Sequence, residues 1–94
     1  MKTYNSGDLT SKVLIGDVVV VASSINDVDE CQFICDTLVI TGNEAIKFFR
    51  CADIKVDNLI IGDAVVSVDA TDIHYKNLSI GKGSFMINGE LVKQ

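Results

Sequence analysis

The stretch LIIGDAVVSVDATDI, residues Leu59 to Ile73, decides the fold because another part of the chain nearly repeats it. VLIGDVVVVAS, which begins at Val13, contains the same Ile-Gly-Asp step followed by a run of valines. Two weaker copies are LVITGNEAIKF, which begins at Leu38, and LSIGKGSFMI, which begins at Leu78. With Val13 aligned to the three leucines, successive copies are 25, 21 and 19 residues apart. Periods of about 20 to 50 residues are typical of repeat architectures such as solenoids.

Three pairs of apolar residues recur in the same order through these copies, and the members of each pair stand two positions apart. A period of two is typical of a β-strand whose paired side chains share one face. Gly-Asp, Asp-Asn and Lys-Asn steps between the pairs favour turns. The predicted fold class is therefore all-β: a right-handed parallel β-helix (β-solenoid) of about four coils, each with roughly 20 residues and three short strands. The aligned pairs are Phe33 and Cys35, Ile54 and Val56, Ile73 and Tyr75; then Val13 and Ile15, Leu38 and Ile40, Leu59 and Ile61, Leu78 and Ile80; then Val20 and Ala22, Ile46 and Phe48, Val66 and Val68, Phe85 and Ile87.

An antiparallel sandwich of short strands is the competing interpretation, but it does not explain why the same pairs return in the same order. A solenoid coil buries its inner face only when another coil stacks on it, so its pattern must repeat. The 94 residues are predicted to form a single domain. The predicted coils span residues 9–24, 31–50, 51–70 and 71–89, with an acidic insertion at 25–30 and a tail at 90–94. The predicted inward core residues are Ile40, Ile61, Ile80, Val66 and Phe85.

The charge of the chain excludes one class of partner. The chain carries 13 acidic and 8 basic residues, which gives a net charge of −5. A nucleic-acid-binding protein needs a basic footprint that displaces the counterions of phosphates, so direct nucleic-acid binding is not expected. An acidic surface favours a basic protein as partner. The simpler alternative is that moderate acidity only keeps the protein in solution.

No segment is predicted to span a membrane, because no apolar run approaches the roughly 20 residues that a spanning helix needs. The polar start of the chain, MKTYNSGDLTSK, lacks the apolar segment of a secretory signal. A cytoplasmic location is therefore predicted. The odd set of cysteines, Cys31, Cys35 and Cys51, agrees with a reducing compartment and argues against a disulfide framework.

The sequence contains no pattern typical of a catalytic, cofactor or metal site. It has neither a Gly-x-Ser-x-Gly elbow nor a P-loop. His74 is the single histidine, and together with the three cysteines it does not match the spacing of a zinc site. The cysteines are instead predicted to be small core residues. We therefore predict that the protein is not an enzyme and holds no cofactor.

Residues between the members of a pair are predicted to point outward and to contact other proteins. In the second pair these residues are Leu14, Val39, Ile60 and Ser79, so three large aliphatic side chains would form a surface patch. Such a patch predicts a homo-oligomer, with a homodimer favoured over an end-to-end filament. The predicted interface consists of Leu14, Val39 and Ile60, together with Val65 on another side.

Acidic residues are also predicted to align from coil to coil. The aligned carboxylates are Asp53 with Asp72, Asp36 with Asp57, and Asp17 with Asp63. Asx-type turns at the corners are the structural explanation for such residues. The functional explanation is a negatively charged rim around the interface, made of Asp27, Asp29, Glu30, Asp53, Asp57 and Asp72.

Parts of the chain resemble known repeat families. IGDVVV and IGDAVV look like hexapeptide acyltransferase repeats, although the six-residue period is not kept. The five-residue steps that end at Leu38, Leu59 and Leu78 look like pentapeptide repeats, for one step each. From about Val13 to Gly89 the architecture is similar to short right-handed β-solenoids such as the bactofilin group, whose members polymerise end to end. This resemblance implies a fold and a mode of assembly, and no specific family.

Small size, acidic columns and an outward apolar stripe predict a non-enzymatic binding protein. The expected role is that of a small inhibitor or immunity-type protein, acting on a basic nuclease or a nucleic-acid-binding complex. The alternative from a different class is a structural solenoid that polymerises with itself.

Overall fold

The computed structural model describes residues 2–22 and 28–92, with the side chains of all of these except residues 46–52 and 70–71. It is a parallel β-solenoid of about four coils, which confirms the fold class predicted from the repeats. A short 3-10 helix, Ser6–Asp8, follows the first strand. The strands are β1 Lys2–Asn5, β2 Val13–Val21, β3 Val28–Thr41, β4 Ala45–Ile61, β5 Val65–His74, β6 Asn77–Ile80, β7 Ser84–Ile87 and β8 Glu90–Leu91.

The column has three sides, and strands β2 to β5 each continue from one side to the next. The first side stacks residues 13–16 of β2, 32–35 of β3, 53–55 of β4 and 72–74 of β5. The second side stacks 2–5 of β1, 18–21 of β2, 38–40 of β3, 59–61 of β4 and 78–80 of β6. The third side contains 65–68 of β5, with β7 next to it. Every coil runs around the column in the same direction, so the strands that stack on one side all point the same way. Parallel ladders therefore join them.

The inward side chains form one continuous core. Ile40, Ile61, Val66 and Phe85, predicted as core residues, are all at most 1% exposed. Ile80, predicted with them, is half-buried. Ile80 pairs with Ile61 on one side, and within the described chain no strand pairs with the other edge of β6. On the second side, the last coil therefore leaves its inner residues less well covered than the central coils do.

The register of the first coil differs from the prediction. Val18 and Val20, not Val13 and Ile15, pair with Leu38 and Ile40. The Ile-Gly-Asp step is the reason, because it marks two different corners in the two halves of the chain. At residues 15–17 the step ends the first side, where Gly16 has φ +95° and the ladder shifts register. At residues 61–63 it ends the second side.

The acidic insertion predicted at 25–30 is in part a strand. Residues 28–30 begin β3, and the buried Val28 pairs with Phe49 of β4. The amide of Asp29 donates a hydrogen bond to the carbonyl of Leu9, at 3.0 Å. Residues 25–27, which include the predicted rim residue Asp27, lie outside the described residues.

The C-terminal tail predicted at 90–94 contributes a short strand that covers one edge of the last coil. β8 pairs antiparallel with β7 across Asn88 and Gly89. Both turn residues have positive φ, +49° and +85°, as a two-residue hairpin turn that matches the twist of its strands requires. The amide of Val92 then donates a hydrogen bond to the carbonyl of Phe85, at 2.8 Å. Within residues 2–22 and 28–92, no helix is long and apolar enough to cross a membrane.

Candidate protein-binding surface

An outward aliphatic column runs along the second side of the solenoid. Val19 pairs with Val39, and Val39 pairs with Ile60, so the three side chains stack from coil to coil. Ile60 is 37% exposed, and the two valines are half-buried. We call these three residues the second-side column. Alternation along the strands causes it, because each member stands between two buried residues.

Two of the four predicted interface residues, Val39 and Ile60, lie in this column. Leu14 does not: its side chain is 5% exposed and belongs to the core, so the predicted outward placement of Leu14 is wrong. The shifted register of the first coil explains the error, since Leu14 pairs with the inward Phe33 and Val19 takes the outward place next to Val39. Val65 is exposed, as predicted, but on the third side, where it pairs with Ala45 and Ser84.

Exposed carboxylates border the second-side column at both of its corners. At the corner with the first side these are Asp17, Asp36 and Asp57; at the corner with the third side they are Glu44 and Asp63. Within the described chain, one of these carboxylates is recorded in an ion pair, that of Asp57, whose Oδ1 lies 3.4 Å from Lys76 Nζ. The surface therefore has an apolar centre and acidic borders.

The predicted acidic alignments are partly correct. Asp53 pairs with Asp72 in register. Asp36 and Asp57 occupy equivalent positions, because the residues that flank Asp36 pair with the residues that flank Asp57. Both predicted alignments are therefore confirmed. The alignment of Asp17 with Asp63 is wrong, because Asp17 pairs with Thr37. Asp63 instead lies at the next corner of the coil.

The predicted rim residues do not all surround the second-side column. Asp57 lies at its border, whereas Asp53 and Asp72 point outward from the first side. Glu30 has φ +56° and its Oε2 accepts a hydrogen bond from Ser11 Oγ, at 3.1 Å, beside Asp29. These residues therefore belong to other parts of the surface.

A ladder of polar side chains, which the sequence analysis missed, lies next to the column. Asn77 Nδ2 donates to Asn58 Oδ1 at 3.0 Å, and Asn58 Nδ2 donates to Thr37 Oγ1 at 3.4 Å. The signal was present in the sequence, since each of these residues directly precedes a leucine of the repeat. The ladder ties the coils together at this corner and lines a shallow groove that ends at Ile60 and Ser79.

A second apolar area on the first side was also missed. Val13, Ile15 and Ile34 are 58%, 70% and 46% exposed, and Ile15 pairs with Ile34 in register. We call these three residues the first-side patch. Val13 and Ile15 were predicted to lie in the core, where the register of the later coils would put them. Their exposure follows from the same register error that affected Leu14.

The two cysteines with described side chains have poorly reactive thiols. Cys31 and Cys35 are buried and free, and burial raises the pKa of both thiols. The pKa of Cys35 rises to about 11, with smaller contributions from the nearby carboxylates of Asp17 and Asp36. Protonated thiols are poor nucleophiles and poor metal ligands. Among the described residues, no group of three or more His, Cys, Asp or Glu side chains is arranged to hold a metal ion.

Comparisons of the chain with protein-family models, with curated proteins and with solved structures find no match. The surface formed by the second-side column can bury aliphatic groups against a partner and attract cationic groups at its borders.

Proposed function

We propose that this chain is a protein-binding module without catalytic activity, and that its partner is a protein with a basic surface. The observation that carries the proposal is the second-side column, Val19, Val39 and Ile60, between two acidic corners. Protein interfaces combine an apolar centre with a polar rim. Complementary charge at such a rim accelerates association and selects among partners.

The class of partner follows from the charge. Proteins that bind nucleic acids carry clustered lysine and arginine on the surface that contacts phosphates. A module with a net charge of −5 and exposed carboxylates in rows could occupy such a surface and prevent it from reaching nucleic acid. We therefore propose an inhibitor or immunity-type role against a basic nuclease or a nucleic-acid-binding complex.

The environment of the single histidine supports a binding role over a catalytic one. His74 Nε2 lies 2.7 Å from Asp72 Oδ1, with the two side chains 67% and 46% exposed. Catalytic groups act most strongly where water is excluded and dipoles are fixed. A polar contact this open to solvent competes with water, so it resembles an ordinary surface contact.

Affinity capture from the native host tests the proposal. We expect the parent chain to capture one basic protein, and the capture to weaken as the salt concentration rises. Ile60→Lys should abolish capture, because it places a cation at the centre of the contact. Val65→Lys adds the same charge to an exposed valine on the third side, and this control should still capture the partner. Capture that Ile60→Lys leaves unchanged, or that does not depend on salt, would contradict the proposal.

Self-assembly is the second candidate, and the strand edges favour it. β1 pairs with β2 at one end of the second side, and β6 pairs with β4 at the other. Within the described chain, no other strand pairs with the outer edge of β1 or β6. Parallel edge strands at both ends of one side permit head-to-tail stacking of copies, which is open-ended unless it closes into a ring. Light scattering that shows particles growing beyond a dimer as the concentration rises would support this function, whereas particles that never exceed a dimer would exclude it.

A further inference from the structure

The outward surface of the first side is a grid of two columns across four coils. One column consists of Val13, Gln32, Asp53 and Asp72, and the other of Ile15, Ile34, Lys55 and His74. The first two coils are mainly apolar and form the first-side patch. The last two coils carry acids in one column and basic side chains in the other.

We infer that the first side binds a second copy of this chain, face to face, with the axes of the two solenoids parallel. A two-fold axis that runs parallel to the solenoid between the two columns places each column opposite the other column of the partner. Asp53 then faces the partner's Lys55. Asp72 and His74, which lie 2.7 Å apart in each chain, face His74 and Asp72 of the partner subunit. Ile15 faces the partner's Val13 at the apolar end. Ile34 faces the partner's Gln32. The other three pairs of positions are self-complementary, as a two-fold interface requires.

The opposite orientation of the second copy lacks this complementarity. A two-fold axis that runs parallel to the strands places each column opposite its own copy with the coil order reversed. If the whole grid overlaps, Ile15 faces the partner's His74, which buries an apolar side chain against a polar one. If the two copies shift along the solenoid axis until their charged coils face each other, Asp53 faces the partner's Asp72. Like charges that meet across an interface are strongly unfavourable, so the parallel arrangement is preferred.

The exposure of the first-side patch also supports a second copy of the chain as the molecule that binds there. Val13 and Ile15 are more than half exposed, which leaves an apolar surface in water next to the charged half of the grid. Four coils at about 4.8 Å spacing make the interface small, well below the ~800 Å² per partner of a standard complex. The expected dimer therefore dissociates on dilution. The second-side column remains accessible in it, so a basic partner and a second copy can bind at the same time.

Sedimentation analysis of charge variants over a range of concentrations tests the inference. The parent chain should pass from monomer to dimer as its concentration rises. Asp53→Lys places like charges opposite each other at two symmetry-related points, and so does Lys55→Asp; each variant should dimerise roughly tenfold or more weakly than the parent. An equimolar mixture of the two variants should dimerise again, because both contacts between positions 53 and 55 in the mixed pair are then between opposite charges. The double variant Asp53→Lys/Lys55→Asp should also dimerise.

Two controls separate loss of the interface from loss of the fold. Circular dichroism and the thermal midpoint should match the parent for every variant, since both residues point outward. Ile15→Glu should abolish dimerisation, and Val65→Glu, on the third side, should preserve it. A parent chain that stays monomeric, single variants that dimerise like the parent, or a mixture that fails to dimerise would overturn the inference. Particles that grow beyond a dimer would also overturn it, since they indicate association through the ends.

Discussion

Leu14 and Ile15 are adjacent aliphatic residues with opposite environments. Leu14 is 5% exposed inside the column, and Ile15 is 70% exposed on its surface. Their chemistry is nearly the same, so the direction of the side chain, and not its hydrophobicity, decides its role. The same alternation separates Ile60 from Ile61 two coils later.

Ile61→Asp should abolish cooperative folding, because it buries an unpaired charge in a central coil at a position that is 0% exposed. The penalty exceeds about 4 kcal/mol, which is a large part of the stability of a small domain. Ile60→Asp is the matched control, and it should fold with a thermal midpoint close to that of the parent. Thermal unfolding followed by circular dichroism measures both. A folded Ile61→Asp chain would show that the proposed inward register is incorrect.

Gly83→Ala should destabilise the last coil. A Cβ at this position would overlap the carbonyl oxygen of Ala64 in the coil below, so backbone must move to admit it. We expect a loss of about 1–3 kcal/mol in the free energy of unfolding. Gly62→Ala is the control, because the nearest atom to its Cβ, the carbonyl oxygen of Ile40, is 3.7 Å away. Urea unfolding of both variants checks the difference, and equal losses would argue against this close approach of the coils.

Cys35 should make the fold less stable in alkaline solution. Burial raises its pKa in the folded chain to about 11 from 9.0. Between these values the unfolded chain releases the thiol proton and the folded chain keeps it, so stability falls as the pH rises above about 9. Cys35→Ala should show a smaller decline between about pH 9 and pH 11 in urea unfolding. An identical decline in both proteins would assign the effect to other groups.

At the scale of elements, the strands at the ends of the solenoid differ from the central strands in how they pair. The central strands pair on both sides, whereas the described outer edges of β1 and β6 have no strand partner. β8 covers the remaining edge of β7 through an antiparallel pairing. A short hairpin of this kind limits unwanted strand addition at the edge that it covers.

Gly89→Val should weaken this hairpin. Gly89 has φ +85°, a conformation in which a β-branched residue is strained, and we expect a loss of roughly 1–2 kcal/mol. Gly89→Asn should be milder, because asparagine tolerates the left-handed region. Hydrogen exchange at the amide of Val92, which donates to Phe85, reports on the hairpin directly. Unchanged protection in Gly89→Val would show that the turn does not hold β8 in place.

At the scale of the whole molecule, the three sides present different surfaces. The first side combines the first-side patch with opposite charges, and the second side combines an aliphatic column with acidic corners. Stacked coils produce this division, because each side repeats the same outward positions at a spacing of about 4.8 Å. A chain of 94 residues can therefore offer more than one interface.

Salt should stabilise the isolated chain. The net charge is −5, and carboxylates such as Asp36 and Asp57 stack at coil spacing, where they repel one another. Screening shortens the range of this repulsion from about 30 Å at 0.01 M to about 3 Å at 1 M salt, so the thermal midpoint should rise. Asp36→Asn removes one member of the stack and should show a smaller rise. A midpoint that falls with salt would indicate that ion pairs such as that of Lys76 and Asp57 dominate instead.

The amino-acid sequence by itself determined the solenoid and, on the first and second sides, the register of its last three coils. On the third side the predicted alignment of Phe48 with Val68 is wrong, because the ladder shifts register and Phe49 pairs with Val68. Leu38, Leu59 and Leu78 stand in paired positions in the structure, as their spacing predicts. The reason is local: strands of period two, separated by turn residues, bury their apolar members only when identical coils stack. The outward places of Val39 and Ile60 followed from the same pattern.

Tertiary structure alone decided the register of the first coil, and with it the binding surfaces. The valine run at residues 18–21 has no alternation of its own, so it fits a strand in either register. The Ile-Gly-Asp step does not determine the register of the first coil either, since it forms two different corners. Packing of Leu14 against Phe33 resolves the ambiguity, because one register buries Leu14, Val18 and Val20 together and leaves Val13 and Ile15 in solvent.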